Sequence, residues 1–174
     1  MRLFAGIPLS PEIHQQFVAF MKYHPSPHGI RWTSETNLHL TACFIGNTDE
    51  DSVEEIKQKL SQTAQIYSTF HLSFDIFRFV PKRQPRMIWG QFKQSEVFAG
   101  VSDHLHQSLG LKKDYQDPIP HVTLARIKAR MNFHIHSEKF TIPELPVNEL
   151  VLWQSVLSPQ GPSYYEKARF VLQK

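Results

Sequence analysis

Residues 37–46 read Asn-Leu-His-Leu-Thr-Ala-Cys-Phe-Ile-Gly, NLHLTACFIG. Leu38, Leu40 and Ala42 alternate with His39, Thr41 and Cys43, which predicts a strand. Successive side chains on a strand point to opposite faces, so His39 and Thr41 look the same way, ~7 Å apart along the chain. By the same parity Cys43 shares their face, and Phe44 turns toward the core. Further on, PHVTLAR (residues 120–126) repeats the arrangement with His121 and Thr123. One His-x-Thr is compatible with an ordinary strand, because Thr is a good strand former. Two of them suggest one site assembled from matching halves.

Working outward from residue 37, Arg31 and Trp32 form an extended approach to the strand. Before them, Arg2–Pro8 predicts a strand, and Ser10, Pro11 and Glu12 give the signature of a helix start. Ile13, Phe17, Phe20 and Met21 form the inward stripe of that helix. Gly46 and Asn47 end the motif strand. Thr48 or Asp49 then caps a second helix, with Val53, Ile56, Leu60 and Ala64 inward. Phe70–Val80 predicts one aromatic-rich strand, hairpinned through a basic loop to Met87–Phe92. Ser95 caps a third helix, with Val97, Val101, Leu105 and Leu109 inward and Gly110 as its stop. The second motif strand spans His121–Ile127. A short strand at Lys139–Ile142 and longer ones at Val147–Leu157 and Tyr164–Leu172 complete the chain. Strands and helices mix without regular βαβ alternation, which predicts an α+β fold of mainly antiparallel sheet.

At 174 residues the chain is expected to be a single domain, 1–174. A hydrophobic content of 41% with 13 Phe supplies a core, and 20% charged residues argue against disorder. The net charge of +3 is compatible with a phosphate-bearing ligand. A single cysteine, Cys43, excludes an internal disulfide and a cysteine-based zinc site. No run approaches 18 apolar residues, so no membrane span is expected. The N-terminus lacks the apolar region of a signal peptide. A cytoplasmic monomer without an obligate protein partner is the expectation.

A histidine titrating near 6.5 can take or give a proton at neutral pH. Two facing one substrate can serve as general base and general acid in an in-line displacement. The Thr41 and Thr123 hydroxyls can donate to non-bridging phosphate oxygens. That division fits phosphodiester cleavage with no metal or other cofactor, the charge being met by hydroxyls, a protonated histidine and a cation such as Arg126.

Of the other histidines, His104 and His106 sit in a helix, where i and i+2 do not share a face. His134-x-His136 has no cysteine or carboxylate at ligand spacing, so a surface role is expected over a metal site. His14, His24, His28 and His71 belong to no constellation. Lys82, Arg83 and Arg86 form the densest basic cluster, which holds a nucleic-acid backbone only if it overhangs the groove. Trp32, Phe4 and Tyr115 could stack a base, although core packing is the commoner use of the first two.

NLHLTACFIG and PHVTLAR, together with RLFAGIPL, RWTSETNLHLT, RMIWG and SVLSPQGPSYYEKARFVL in the same order, resemble the 2H phosphoesterase superfamily. Within it they are most similar to the RNA 2′,3′-cyclic phosphodiesterases, also called 2′-5′ RNA ligases. The resemblance implies two pseudo-symmetric lobes with flanking helices around a central groove. It implies a substrate that is an RNA with a 2′,3′-cyclic phosphate end or a small cyclic nucleotide, opened to a 2′-phosphate without metal. Carried over, His121 would activate water and His39 would protonate the departing 3′ oxygen. Thr41, Thr123 and Arg126 would bind phosphate oxygens. Regular alternation turns Arg126 away from His121 and Thr123, so it reaches the phosphate only if the strand bends, bulges or ends there. Other readings are a 2H phosphoesterase acting on another nucleotide ester or a 2′-5′ oligonucleotide, and a nucleotide- or RNA-binding module without turnover.

Overall fold

Both motif strands lie at the middle of one antiparallel sheet. The structure, a computed structural model, describes residues 1–24, 29–113, 118–128, 134–159 and 161–174. Its strands are β1 (Arg2–Pro8), β2 (Ile30–Trp32), β3 (His39–Asn47), β4 (Phe70–Leu72), β5 (Phe74–Val80), β6 (Met87–Phe92), β7 (His121–Ile127), β8 (Leu145–Val147), β9 (Glu149–Ser158) and β10 (Gly161–Val171). The α-helices are α1 (Pro11–Tyr23), α2 (Val53–Ile66) and α3 (Glu96–Ser108). The main sheet has eight strands in the order β10-β9-β1-β3-β7-β6-β5, with β2 also on β7. The α+β fold and its antiparallel sheet are as expected from the sequence.

The sheet is nearly two sheets. Between β3 and β7 a single pair, Leu40 opposite Val122, is in register, and each is the middle residue of its His-x-Thr. β6 holds one edge of β7 from His121 to Arg126. On the other edge β3 leaves at residue 122 and β2 takes over at Ala125–Ile127. The strands therefore splay apart where the motifs meet, and the gap between them is the groove.

Aromatic packing holds one half of the sheet to α1. Phe17 of α1 packs against Phe74 and Phe77 of β5 and Phe92 of β6. A Cβ on Gly90 would lie 2.9 Å from the Phe17 ring, so β6 accepts the helix only with glycine there. Helix α2 lies against β9, β10 and α3, and α3 lies against β3. Ser10 and Ser95 cap α1 and α3 as expected, accepting from the backbone N–H of Ile13 and Phe98.

Four local expectations are corrected. Phe70–Val80 is not one strand: it breaks at Ser73, and β4 pairs with β8 in a separate two-stranded sheet. The alternation continues across the break, so periodicity cannot register the change of partner. Lys139–Ile142 is not a strand, and the pairing segment is Leu145–Val147. In α3 the buried residue of the first turn is Phe98, while Val97 is 41% exposed. Asp49 leads into a short 3₁₀ turn and makes no side-chain cap bond.

Candidate active site

The motif strands share one irregularity. β7 pairs Ile88 with Ala125 but Trp89 with Thr123, so Leu124 is an extra residue, a β-bulge. β3 pairs Ala5 with Cys43 but Gly6 with Thr41, so Ala42 is the matching bulge. Each follows its motif threonine directly. A bulge inverts strand parity, and the inside–outside pattern inverts with it. Cys43 and Ala125 are buried, while Phe44 and Arg126 turn out. Arg126 therefore comes to the same side as His121 and Thr123 and lines one cavity with them. The parity assignment for β3 is corrected on the same ground: Phe44, not Cys43, faces the groove, and it is 64% exposed. Burial pushes the Cys43 thiol up to about 12, which makes it an inert core residue.

Both bulges are held from outside their strands. Ser102 of α3, itself buried, donates its hydroxyl to the Ala42 carbonyl at 2.8 Å. Thr33, just after β2, donates its N–H to the Leu124 carbonyl and its hydroxyl to the Thr123 carbonyl, both at 2.8 Å. Carbonyls that a bulge removes from the ladder need such partners when buried. Sequence reading missed Thr33 and Ser102, because a hydroxyl that bonds to distant backbone leaves no local pattern.

The cavity is about 600 Å³, within the ~300–1,000 Å³ range of ligand clefts. It brings together His39, Thr41, His121, Thr123 and Arg126. Lys82, Arg83 and Arg86 are exposed and do not line it. Phe4 is core-packed, 3% exposed, yet it and Trp32 both border the cavity. Tyr115 and His28 lie outside the described residues.

The two histidines are anchored alike. His39 Nδ1–H donates to the Asn37 carbonyl at 2.8 Å, and His121 Nδ1–H donates to the Ile119 carbonyl at 2.7 Å. Each acceptor lies two residues before its histidine. A donated Nδ1–H leaves Nε2 as the basic nitrogen of the neutral ring. At His39 that nitrogen accepts from the Thr41 hydroxyl at 3.0 Å.

Their surroundings differ. His39 sits among Phe4, Trp153 and Tyr164, with ring centroids at 4.7, 5.5 and 5.1 Å. This apolar box holds its pKa down to about 4. Burial dominates, the Asn37 carbonyl opposes, and the charge of His121 adds to the depression. His121 stacks on Trp89 at 3.6 Å. Burial also lowers its pKa, against the bond to Ile119. Both rings are therefore neutral in the free enzyme at pH 7. Among the described residues no group of three or more His, Cys, Asp or Glu is placed to hold a metal ion. His136 instead pairs with Glu138 at 3.3 Å and donates its backbone N–H to His24.

A groove with two neutral, anchored imidazoles, two hydroxyls and a guanidinium is suited to proton transfer on a phosphate ester. Comparison with known proteins agrees. Residues 7–89 match the family LigT like Phosphoesterase. An RNA 2′,3′-cyclic phosphodiesterase of Archaeoglobus fulgidus is 27% identical over 94% of this chain and 96% of its own. A crystal structure from Thermus thermophilus superposes with a TM-score of 0.87 over 99% of this chain and 98% of that one, at 23% identity. Escherichia coli LigT complexed with 3′-AMP superposes with a TM-score of 0.77 at 23% identity, over the same shares. The chain is thus similar over most of its length to enzymes of the two-histidine phosphoesterase class. Over residues 7–89 it resembles the LigT-like phosphoesterases.

Proposed function

We propose that this enzyme opens RNA-terminal 2′,3′-cyclic phosphates to 2′-phosphates, without metal, through His39 and His121. One observation carries the reading: both imidazoles are fixed by a main-chain carbonyl on Nδ1 and border a single cavity with both motif threonines. His121 Nε2 takes a proton from water as its oxygen attacks phosphorus. The P–O3′ bond breaks, and protonated His39 Nε2 delivers its proton to the departing 3′ oxygen. The products are a 2′-phosphomonoester and a free 3′-hydroxyl, so protons balance across the two rings. Thr41, Thr123 and Arg126 bind the non-bridging oxygens.

In the free enzyme His39 is the more strongly neutral ring, so the acid role requires the anionic phosphate to raise its pKa on binding. Thr41, which donates to His39 Nε2 in the free enzyme, is released to the phosphate by that protonation. A 5′-hydroxyl in the place of water would form a 2′-5′ bond with the same groups. No described helix is long and apolar enough to cross a membrane.

The test is hydrolysis of a short RNA ending in a 2′,3′-cyclic phosphate, in EDTA. Conversion to the 2′-phosphate is expected. A 3′-phosphate product, or loss of activity to the chelator, would refute the mechanism.

A further inference from the structure

Arg2 and Arg31 border the same cavity as Arg126, and among the described residues no Asp or Glu does. The wall thus carries three positive charges in a protein whose whole net charge is +3. None of the three forms an ion pair among the described residues, whereas Arg169 reaches both Glu149 and Glu166.

Their placement is unfavourable without an anion. Arg31 of β2 pairs directly with Arg126 of β7. Residues directly opposite on adjacent strands have Cβ atoms ~5 Å apart, and like charges there destabilise a sheet. Arg2 and Arg126 are both near enough to Tyr164 to act on its phenol, whose pKa burial otherwise raises. Arg31 lies over Gly161, where φ is +127° and a Cβ would stand 2.5 Å from Nη2. The glycine both makes the turn and leaves room for the guanidinium.

In the proposed reaction Arg126 serves the phosphate being opened, which leaves Arg2 and Arg31 with no partner from that group. Resting on that reading, we propose that Arg2 and Arg31 hold the next phosphodiester of the RNA, on the 5′ side of the terminal nucleotide. The site then distinguishes a polynucleotide end from a free nucleoside 2′,3′-cyclic phosphate, which lacks that group.

The test compares kcat/KM on three substrates: a nucleoside 2′,3′-cyclic phosphate, a dinucleotide with the same cyclic end, and that dinucleotide with a neutral methylphosphonate linkage. The neutral linkage retains the second base and removes only the charge. The wild-type enzyme should favour the charged dinucleotide over the neutral one by about tenfold or more, as expected for a charge-assisted guanidinium–phosphate contact. Arg2→Ala and Arg31→Ala should each shrink that ratio. A misfolded variant lowers both rates and leaves the ratio alone. Equal wild-type rates on the charged and neutral linkages overturn the inference while leaving the reaction intact, as does a preference that survives in the double variant. Failure of the wild type on all three substrates overturns the reaction itself, and the inference with it.

Discussion

Arg126 occupies in β7 the place that Phe44 occupies in β3. Each follows its motif threonine by three residues, lies just past a one-residue bulge, and turns out to the cavity. The backbone device is the same and the side chains are opposites, one a cation and one an aromatic ring. Arg126→Ala should therefore lower kcat/KM on a cyclic phosphate by about 10²-fold, the scale of losing one donor to developing charge. Arg126→Lys should recover part of it, since charge is kept but the two-pronged fork is not. Steady-state kinetics on purified variants give the comparison, and an alanine variant with wild-type kcat/KM would remove Arg126 from the phosphate site.

Thr33 and Ser102 make a second prediction. If they matter by fixing the bulges, Thr33→Val and Ser102→Ala should disturb the site next to each. Thr33→Val releases the Thr123 carbonyl from its hydroxyl donor, and Ser102→Ala releases the Ala42 carbonyl. A buried carbonyl left unpaired costs ~1–3 kcal/mol, read as a drop in urea midpoint. The loss in kcat should exceed what that modest destabilisation explains at about 25 °C, where the variants remain folded.

The histidines set the pH profile. His39→Ala and His121→Ala should each cost on the order of 10²-fold or more in rate. In free enzyme the base must be neutral and the acid protonated. With His39 near 4 and His121 below 6.5, the bell for kcat/KM should centre between those values. The apparent values belong to the coupled pair. The bell for kcat should lie at higher pH, because the bound phosphate raises the acid. Coincident bells would show that binding does not shift the pair.

Stability should also fall in acid. His39 has a folded pKa of about 4 against 6.5 when unfolded. Between those values the unfolded chain binds more protons, so stability rises with pH there. The contribution of His39 is complete above pH 6.5 and is lost as pH falls to about 4. The loss is on the order of 3 kcal/mol, at ~1.4 kcal/mol per unit. His39→Gln should flatten that part of a urea-midpoint profile, and an unchanged slope would place the acid sensitivity elsewhere.

Gly6 provides a test of the sheet behind the motif. A Cβ there would lie 2.5 Å from the Leu40 carbonyl oxygen and 3.1 Å from the Trp153 ring. The carbonyl is backbone and cannot swing aside, so Gly6→Ala must push β1 off β3 between His39 and Thr41. Overpacking of this kind costs ~1–3 kcal/mol, and thermal or urea unfolding measures it.

Much of this was legible in the chain. The inward stripe of α1, its Ser10 cap and the bounds of β7 follow from spacing and cap chemistry alone. The paired His-x-Thr picked out the two strands that meet at the cavity. The bulges were not legible, because Ala42 and Leu124 are ordinary strand residues and nothing in their chemistry marks an extra position. Simple alternation consequently reversed Cys43 and Phe44. Arg126 did carry a signal: parity turned a full charge inward, and burying an unpaired charge is expensive. That conflict is itself grounds to expect a bulge. The failure at Phe70–Val80 is of another kind, since both pieces are true strands and only tertiary pairing separates β4 from β5.

The single register pair between Leu40 and Val122 has a wider meaning. It joins the two motifs at their middle residues, so one His and one Thr flank the junction on each strand. A backbone so nearly equal on its two sides would, by itself, give two closely equivalent imidazoles. The inequality is supplied by the shells: three aromatic rings around His39, one indole beneath His121. In the free protein those shells make His39 the harder ring to protonate, so an acid role for it runs against Phe4, Trp153 and Tyr164 and depends on the bound phosphate.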